Sequence, residues 1–207
     1  MHTGAAGDPR PMATTRTVPV RRVVLLARPG AGKSTQAALL AQRIGVAHLS
    51  TGALLRGEIA SASPLGRAIA PVLERGDLVA DDLVVAVVAR RLDDAVAAGG
   101  YVLEGFPRDV VQEAAFRERL PGAVQPQAAV LLEVRAEECR RRLLSRSAVE
   151  ERDDDTPETI DHRLGLFDKD LTPVIERYEQ RGILVRVDGE ANPQVVTERI
   201  LDRLGMP

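Results

Sequence analysis

At 207 residues, 44% of them hydrophobic, the chain is long and apolar enough to bury one sizeable core. A formal net charge of −2 gives duplex nucleic acid no global electrostatic reason to bind, and 2% aromatics without tryptophan offer few stacking platforms for single strands. Cys139 is the sole cysteine, which excludes an internal disulfide and a cysteine-built zinc cage, and no apolar run approaches the ~20 residues that span a bilayer.

Met1 to Pro19 is rich in Thr, Ala, Gly and Pro and lacks the apolar stretch of a signal peptide. It reads as a disordered extension, with Met12 inside it as an alternative start. Arg22 to Ala27 is a short apolar run bounded by Pro and Gly, the pattern of a strand buried on both faces. Thr35 to Ile44 has helical composition, and Val46 to Leu49 reads as a second strand. Ser63-Pro64 and Asp81-Asp82 read as helix starts, their oxygens capping N–H groups, with Leu83 to Ala98 a helix. Tyr101 to Leu103, Ala128 to Val134 and Ile183 to Val187 complete the strands. The longest helix spans Thr156 to Gln180, where Ile160, Leu164, Phe167, Leu171, Ile175 and Tyr178 recur at helical spacing, and Gly182 ends it. Gln194 to Leu204 is the last helix. Strands alternating with helices predict a three-layer α/β domain around a parallel sheet.

Strand 22–27 leads into Ala27-Arg28-Pro29-Gly30-Ala31-Gly32-Lys33-Ser34-Thr35 and then a helix. Backbone N–H groups of such a loop, together with the helix N-terminus, cradle a polyphosphate. Gly30 and Gly32 permit close approach, Lys33 brings a cation to the β- and γ-phosphates, and Ser34 offers its hydroxyl to Mg²⁺. The chain uses Arg almost everywhere, yet one of its two lysines occupies this slot. The full Walker pattern begins with Gly where this chain has Ala27.

A phosphate loop implies nucleotide binding without naming the reaction. Further segments follow it in order: Leu49-Ser50-Thr51-Gly52-Ala53-Leu54-Leu55-Arg56, Gly76-Asp77-Leu78-Val79, Leu103-Glu104-Gly105-Phe106-Pro107-Arg108 with Gln112, Arg152-Asp153-Asp154, Arg163-Leu164 and Val187-Asp188-Gly189. Taken together with the loop, this series resembles the adenylate kinases, nucleoside monophosphate kinases of the short-lid type. Where two phosphate anions meet, guanidiniums are expected, because Arg grips phosphate oxygens in a bidentate manner. The candidates are Arg56, Arg108, Arg146, Arg152 and Arg163.

The resemblance implies a P-loop kinase fold with a helical AMP-binding region over about 50–79 and a short lid over about 146–156. Only Ser147 to Glu151 lie between Arg146 and Arg152, too few for the zinc-carrying insert of some relatives. ATP would bind at Gly30, Ala31, Gly32, Lys33, Ser34 and Thr35, with Arg142, Arg146 and Ala191 toward its base and the lid. Arg56 and Arg108 would hold the AMP α-phosphate, while Thr51 and Gln112 would read adenine. Asp77, Leu78, Val79, Gly105, Phe106 and Pro107 would line the AMP pocket, with Arg152 and Arg163 reaching it from the lid and the long helix. Lys33, Arg108, Arg146, Arg152 and Arg163 would act on the transferring group. Mg²⁺ would sit at Ser34 and, through water, at Glu104. Substrates are then ATP and AMP, with neither nucleic acid nor membrane as partner, in a cytoplasmic monomer.

Besides Ala27, the family pattern is broken at Ala53, where an acid is usual, and at Glu104, where Asp is usual. Ser34, in place of the usual Gly, is expected to compensate for Glu104 as a direct Mg²⁺ ligand. A nucleotide-binding regulator with weak turnover and a kinase for another monophosphate are the competing readings, the latter opposed by Thr51 and Gln112.

Overall fold

The computed structural model describes residues 19–74, 79–150 and 156–206, without the side chains of 73, 74, 146–150 and 163. Residues 1–18 of the extension expected over 1–19, Asp77, Leu78, Arg152 and the side chains of Arg146 and Arg163 lie outside the described residues.

Strands β1 (Arg22–Ala27), β2 (Ala47–Ser50), β3 (Tyr101–Glu104), β4 (Ala128–Glu133) and β5 (Leu184–Asp188) form a sheet in the order β2-β3-β1-β4-β5. Every pairing is parallel, with β1 central: Val23 stands opposite Val102 on one side and Ala128 on the other. The apolar runs follow from this position, because a central strand covered on both faces has no solvent side to make polar. Val24 and Leu26 point into one cluster with Leu103, Ala129 and Leu131; Val23, Leu25 and Ala27 point into the other with Val102, Val130 and Leu132.

Eight helices cover the two faces among the described residues: α1 (Lys33–Ile44), α2 (Thr51–Ala60), α3 (Pro64–Glu74), α4 (Asp81–Ala97), α5 (Val110–Arg119), α6 (Ala136–Glu150), α7 (Pro157–Gln180) and α8 (Pro193–Arg203). The result is the three-layer α/β domain that the alternation predicts. Ser63 caps α3 as expected, its hydroxyl accepting from the Gly66 N–H at 2.8 Å. Thr156 does the same for α7 through the Thr159 N–H, at 3.2 Å.

The expected cap at Asp81 is not formed. Ala80 is the N-cap of α4 without a side-chain hydrogen bond, and the Asp81 carboxylate turns to a tertiary partner, Gln112. Helices α2, α5 and α6 occupy stretches where the pattern gave no element. α2 carries Gly52 and Gly57, and α6 opens on Glu137, Glu138, Arg140, Arg141 and Arg142 with little apolar periodicity. α6 remains helical through Glu150, inside the stretch expected as a short looped lid.

Candidate active site

A parallel sheet brings all its strand ends to one edge, and a crevice opens there where the strand order reverses. Ala27, Ser50, Glu104, Glu133 and Asp188 end the five strands along that edge. From Ala27 the chain turns through the glycine loop into α1. Gly30 and Gly32 are both left-handed, with φ of 82° and 89°. A Cβ at Gly30 would lie 2.5 Å from the Cys139 carbonyl oxygen, so the loop is pressed against α6. Gly32 caps α1 without a side-chain hydrogen bond, and a helix N-terminus reached through such a loop suits an anion. Ala27, where glycine was expected, is buried at the end of β1 and its methyl packs in the second apolar cluster.

Next to this loop Glu104 ends β3, only 3% exposed. Its Oε2 accepts from the Ser34 hydroxyl at 2.9 Å, and His48 Nε2 stands 3.5 Å from its Oε1. That contact is too long for a hydrogen bond, and Oε1 stays buried with no hydrogen-bond partner among the described residues. Burial alone would raise this carboxyl. The facing His48 imidazole, the Ser34 hydroxyl, the Lys33 ammonium and the Ser50 side chain outweigh burial and hold it below the usual carboxylate range. An orphaned, negatively charged oxygen beside a hydroxyl with lone pairs to offer suits a hard cation that keeps part of its water shell. The two departures from the family pattern, Ser34 and Glu104, meet in this one hydrogen bond.

A second group of expected residues grows from the same strand end. Thr51, 1% exposed at the start of α2, donates its hydroxyl to the Glu104 carbonyl oxygen at 3.0 Å. Gly105 follows, close enough that a Cβ there would touch Thr51 at 3.7 Å, and its carbonyl accepts from Arg108 Nε at 3.2 Å. The Arg108 N–H donates to Gln112 Oε1 at 2.9 Å, and Gln112 Nε2 donates to Asp81 Oδ1 at 2.7 Å. Phe106 is buried edge-on against Phe116, ring centroids 5.2 Å apart, so it faces the core and leaves only backbone for a ligand.

On sequence, the adenylate kinase family model matches residues 25–183. An adenylate kinase of Xanthomonas euvesicatoria pv. vesicatoria is 45% identical over 185 residues, covering 89% of this chain and 99% of that protein. The chain belongs to the adenylate kinase family. A second adenylate kinase, from Prochlorococcus marinus (strain MIT 9211), is 42% identical over 186 residues, covering 89% of this chain and 97% of its own length.

Within this family member the structure brings the phosphate loop, Glu104, Thr51, Gly105, Arg108 and Gln112 into one continuous run of contacts. Other expected residues sit apart from it. Arg56 is exposed and folds back over Gly52, whose Cβ would lie 3.3 Å from Arg56 Nη1. Arg142, expected to flank the ATP base, donates to Glu138 Oε1 at 2.6 Å along its own helix. Ala191 is half-buried on the second apolar cluster. It neighbours Glu190, which with Arg28, Glu133, Val134, Arg135 and Asp188 lines an open hollow of about 390 Å³. Val79 is buried.

Three residues were missed by sequence reasoning. Arg28 pairs with Asp168 of α7 at 2.7 Å and donates to the Val134 carbonyl at 3.1 Å, tying the loop to two other elements. His48 faces Glu104, and Asp81 holds Gln112. Only Asp81 carried a local signal, and that signal pointed to a helix cap.

Proposed function

We propose that this edge carries reversible, Mg²⁺-dependent transfer of the ATP γ-phosphoryl group to AMP, giving two ADP. The chain is an ATP:AMP phosphotransferase. One observation carries the reading of the site: the donor and acceptor sides share Glu104. Its carboxylate accepts from Ser34 of the phosphate loop, while its backbone carbonyl accepts from Thr51 of the acceptor region.

In this reading the first-turn N–H groups of α1 and the Lys33 ammonium hold the β- and γ-phosphates. The ATP base lies toward Ala191 and the hollow beside Arg135, with Arg142 leaving Glu138 to flank it. Arg56 and Arg108 hold the AMP phosphate, and Asp77, Leu78 and Val79 line its pocket. Thr51 commits its hydrogen to the Glu104 carbonyl and offers only lone pairs, which suits the 6-amino group of adenine. An AMP phosphate oxygen attacks the γ-phosphorus, the bond to the β-phosphate oxygen breaks, and ADP leaves with the electron pair. Arg146, Arg152 and Arg163 compensate the charge on the transferring group. Held by Ser34 and, through water, by the Glu104 carboxylate, Mg²⁺ would supply further charge compensation on the phosphate oxygens. The protein acts as a cytoplasmic monomer; among the described residues no helix is long and apolar enough to cross a bilayer.

A coupled assay for ADP with ATP, Mg²⁺ and each of AMP, CMP, UMP and GMP tests the reading. Rapid ADP formation is expected with AMP alone; bound ATP without AMP-dependent turnover would overturn it. Ser34→Gly should raise the Mg²⁺ concentration for half-maximal rate roughly 10-fold. An unchanged Mg²⁺ dependence would remove Ser34 from the metal site.

A further inference from the structure

We infer that Asp81 sets purine selectivity by fixing which end of the Gln112 amide faces the acceptor base, an inference that rests on the acceptor-site reading above. The two ends of a carboxamide are nearly equal in shape and opposite in polarity, so what it recognises depends on which way it is turned. Gln112 is 5% exposed and clamped at both ends. The Arg108 backbone N–H, which can only donate, lies 2.9 Å from Oε1; the Asp81 carboxylate, which only accepts, lies 2.7 Å from Nε2. The donor and acceptor types of these neighbours settle the orientation by themselves. Turning the amide over would set N–H against N–H and carbonyl oxygen against carboxylate, replacing two hydrogen bonds by two repulsions.

The backbone is held as well. Asp109 accepts from the Gln112 N–H at 2.9 Å, fixing the first turn of α5 from which the side chain projects. Asp81 is available for its role because α4 does not use it as a cap: Ala80 holds that position. Asp81 and Gln112 come from different helices, so the clamp also ties α4 to the base-reading position.

Each clamped atom keeps one further valence, a lone pair on Oε1 and a hydrogen on Nε2. A 6-aminopurine presents an amino donor beside the N1 acceptor on its pairing edge. A 6-oxopurine presents a carbonyl acceptor beside an N1–H donor. The fixed amide complements the first order, and the second requires the turned amide that Asp81 and the Arg108 N–H oppose. Asp81 is therefore a positioning residue: it contacts no substrate and acts through Gln112.

The experiment compares AMP with inosine monophosphate as acceptor in Asp81→Asn. An asparagine can present either its oxygen or its nitrogen, so both orientations of Gln112 become satisfiable. The ratio of kcat/KM for AMP over inosine monophosphate should fall roughly 10-fold or more, with kcat/KM for inosine monophosphate rising in absolute terms. KM for ATP should stay unchanged, and CMP and UMP should gain nothing. Asp81→Ser, whose hydroxyl donates or accepts, should shift the ratio in the same direction. A merely structural role would lower both acceptors together, and an unchanged ratio in folded Asp81→Asn or Asp81→Ser overturns the inference. Gln112→Ala separates the two readings. If it leaves the ratio at the wild-type value, Gln112 does not read the base and this inference fails while phosphoryl transfer to AMP stands. If the wild-type enzyme forms no AMP-dependent ADP, the activity reading itself has failed.

Discussion

Gly30 and Gly32 stand in one loop with nearly the same φ, 82° and 89°, yet they answer to different neighbours. At Gly30 a Cβ would meet the Cys139 carbonyl at 2.5 Å and Leu143 Cγ at 2.8 Å; at Gly32 it would meet nothing within 4 Å. Gly30→Ala therefore carries the left-handed penalty of about 1–2 kcal/mol and an overpacking cost of about 1–3 kcal/mol besides. Gly32→Ala carries only the first, but sets a methyl in the space where the phosphates are proposed to lie. Denaturant titration should show Gly30→Ala as the less stable of the two. Nucleotide titration should show Gly32→Ala folded yet impaired in ATP binding. Equal stabilities would mean that the contact with α6 costs nothing.

Between elements, a buried carboxylate ties α5 to α7 and its C-cap. Glu113 is 1% exposed and receives Arg177 at 2.9 Å and Arg181 at 3.3 Å, and Arg177 also donates to the Val110 carbonyl. Removing one partner of a fully buried ion pair costs ~3–5 kcal/mol. Here both arginine side chains reach water, being 41% and 30% exposed. Glu113→Ala should therefore cost less, about 2 kcal/mol by chemical denaturation. The loss should fall on stability before it falls on KM for either nucleotide, since Glu113 lies on the core side of α5, away from Arg108. The Arg28–Asp168 pair, 31% and 53% exposed, is the contrasting case. An exposed pair of this kind adds at most about 1 kcal/mol, so its consequence is the placement of the loop against α7.

For the whole molecule, several carboxyls are held below their ordinary range. Glu138 is lowered to about 2 by hydrogen bonds from Arg141 and Arg142. Hydrogen bonds from Arg140 lower Asp161, and those from Arg135 lower Glu190. A carboxyl whose folded value is depressed adds stability above its unfolded value, about 4, and loses it as pH falls through the folded one. The melting temperature should thus change little between about pH 7 and 5 and fall between about pH 4 and 2. Because every one of these pairs reaches water on at least one side, 1 M salt should flatten the fall. A melting temperature constant down to pH 2 would show that they contribute nothing.

The sequence by itself determined the strands, the phosphate loop and the apolar stripe of α7, because each is a local pattern. A strand buried on both faces must be apolar along its length, a loop that admits phosphate must carry glycine, and a helix lying on a core repeats every three to four residues. Helices α2, α5 and α6 were less legible: glycines interrupt the first and charge encircles the last. α5 is capped by Asp109, whose carboxylate accepts from the Val111 and Gln112 N–H groups, a start signal that the sequence reading did not use. The candidate site residues Lys33, Thr51, Arg108 and Gln112 were named from motif order, and what holds them was not. Ser34 meets Glu104 across 70 positions, Asp81 meets Gln112 across 31, and Arg28 meets Asp168 across 140. Only the tertiary structure could decide those contacts, since a side chain's partner is set by where the sheet and helices bring distant segments together, and no local pattern encodes it.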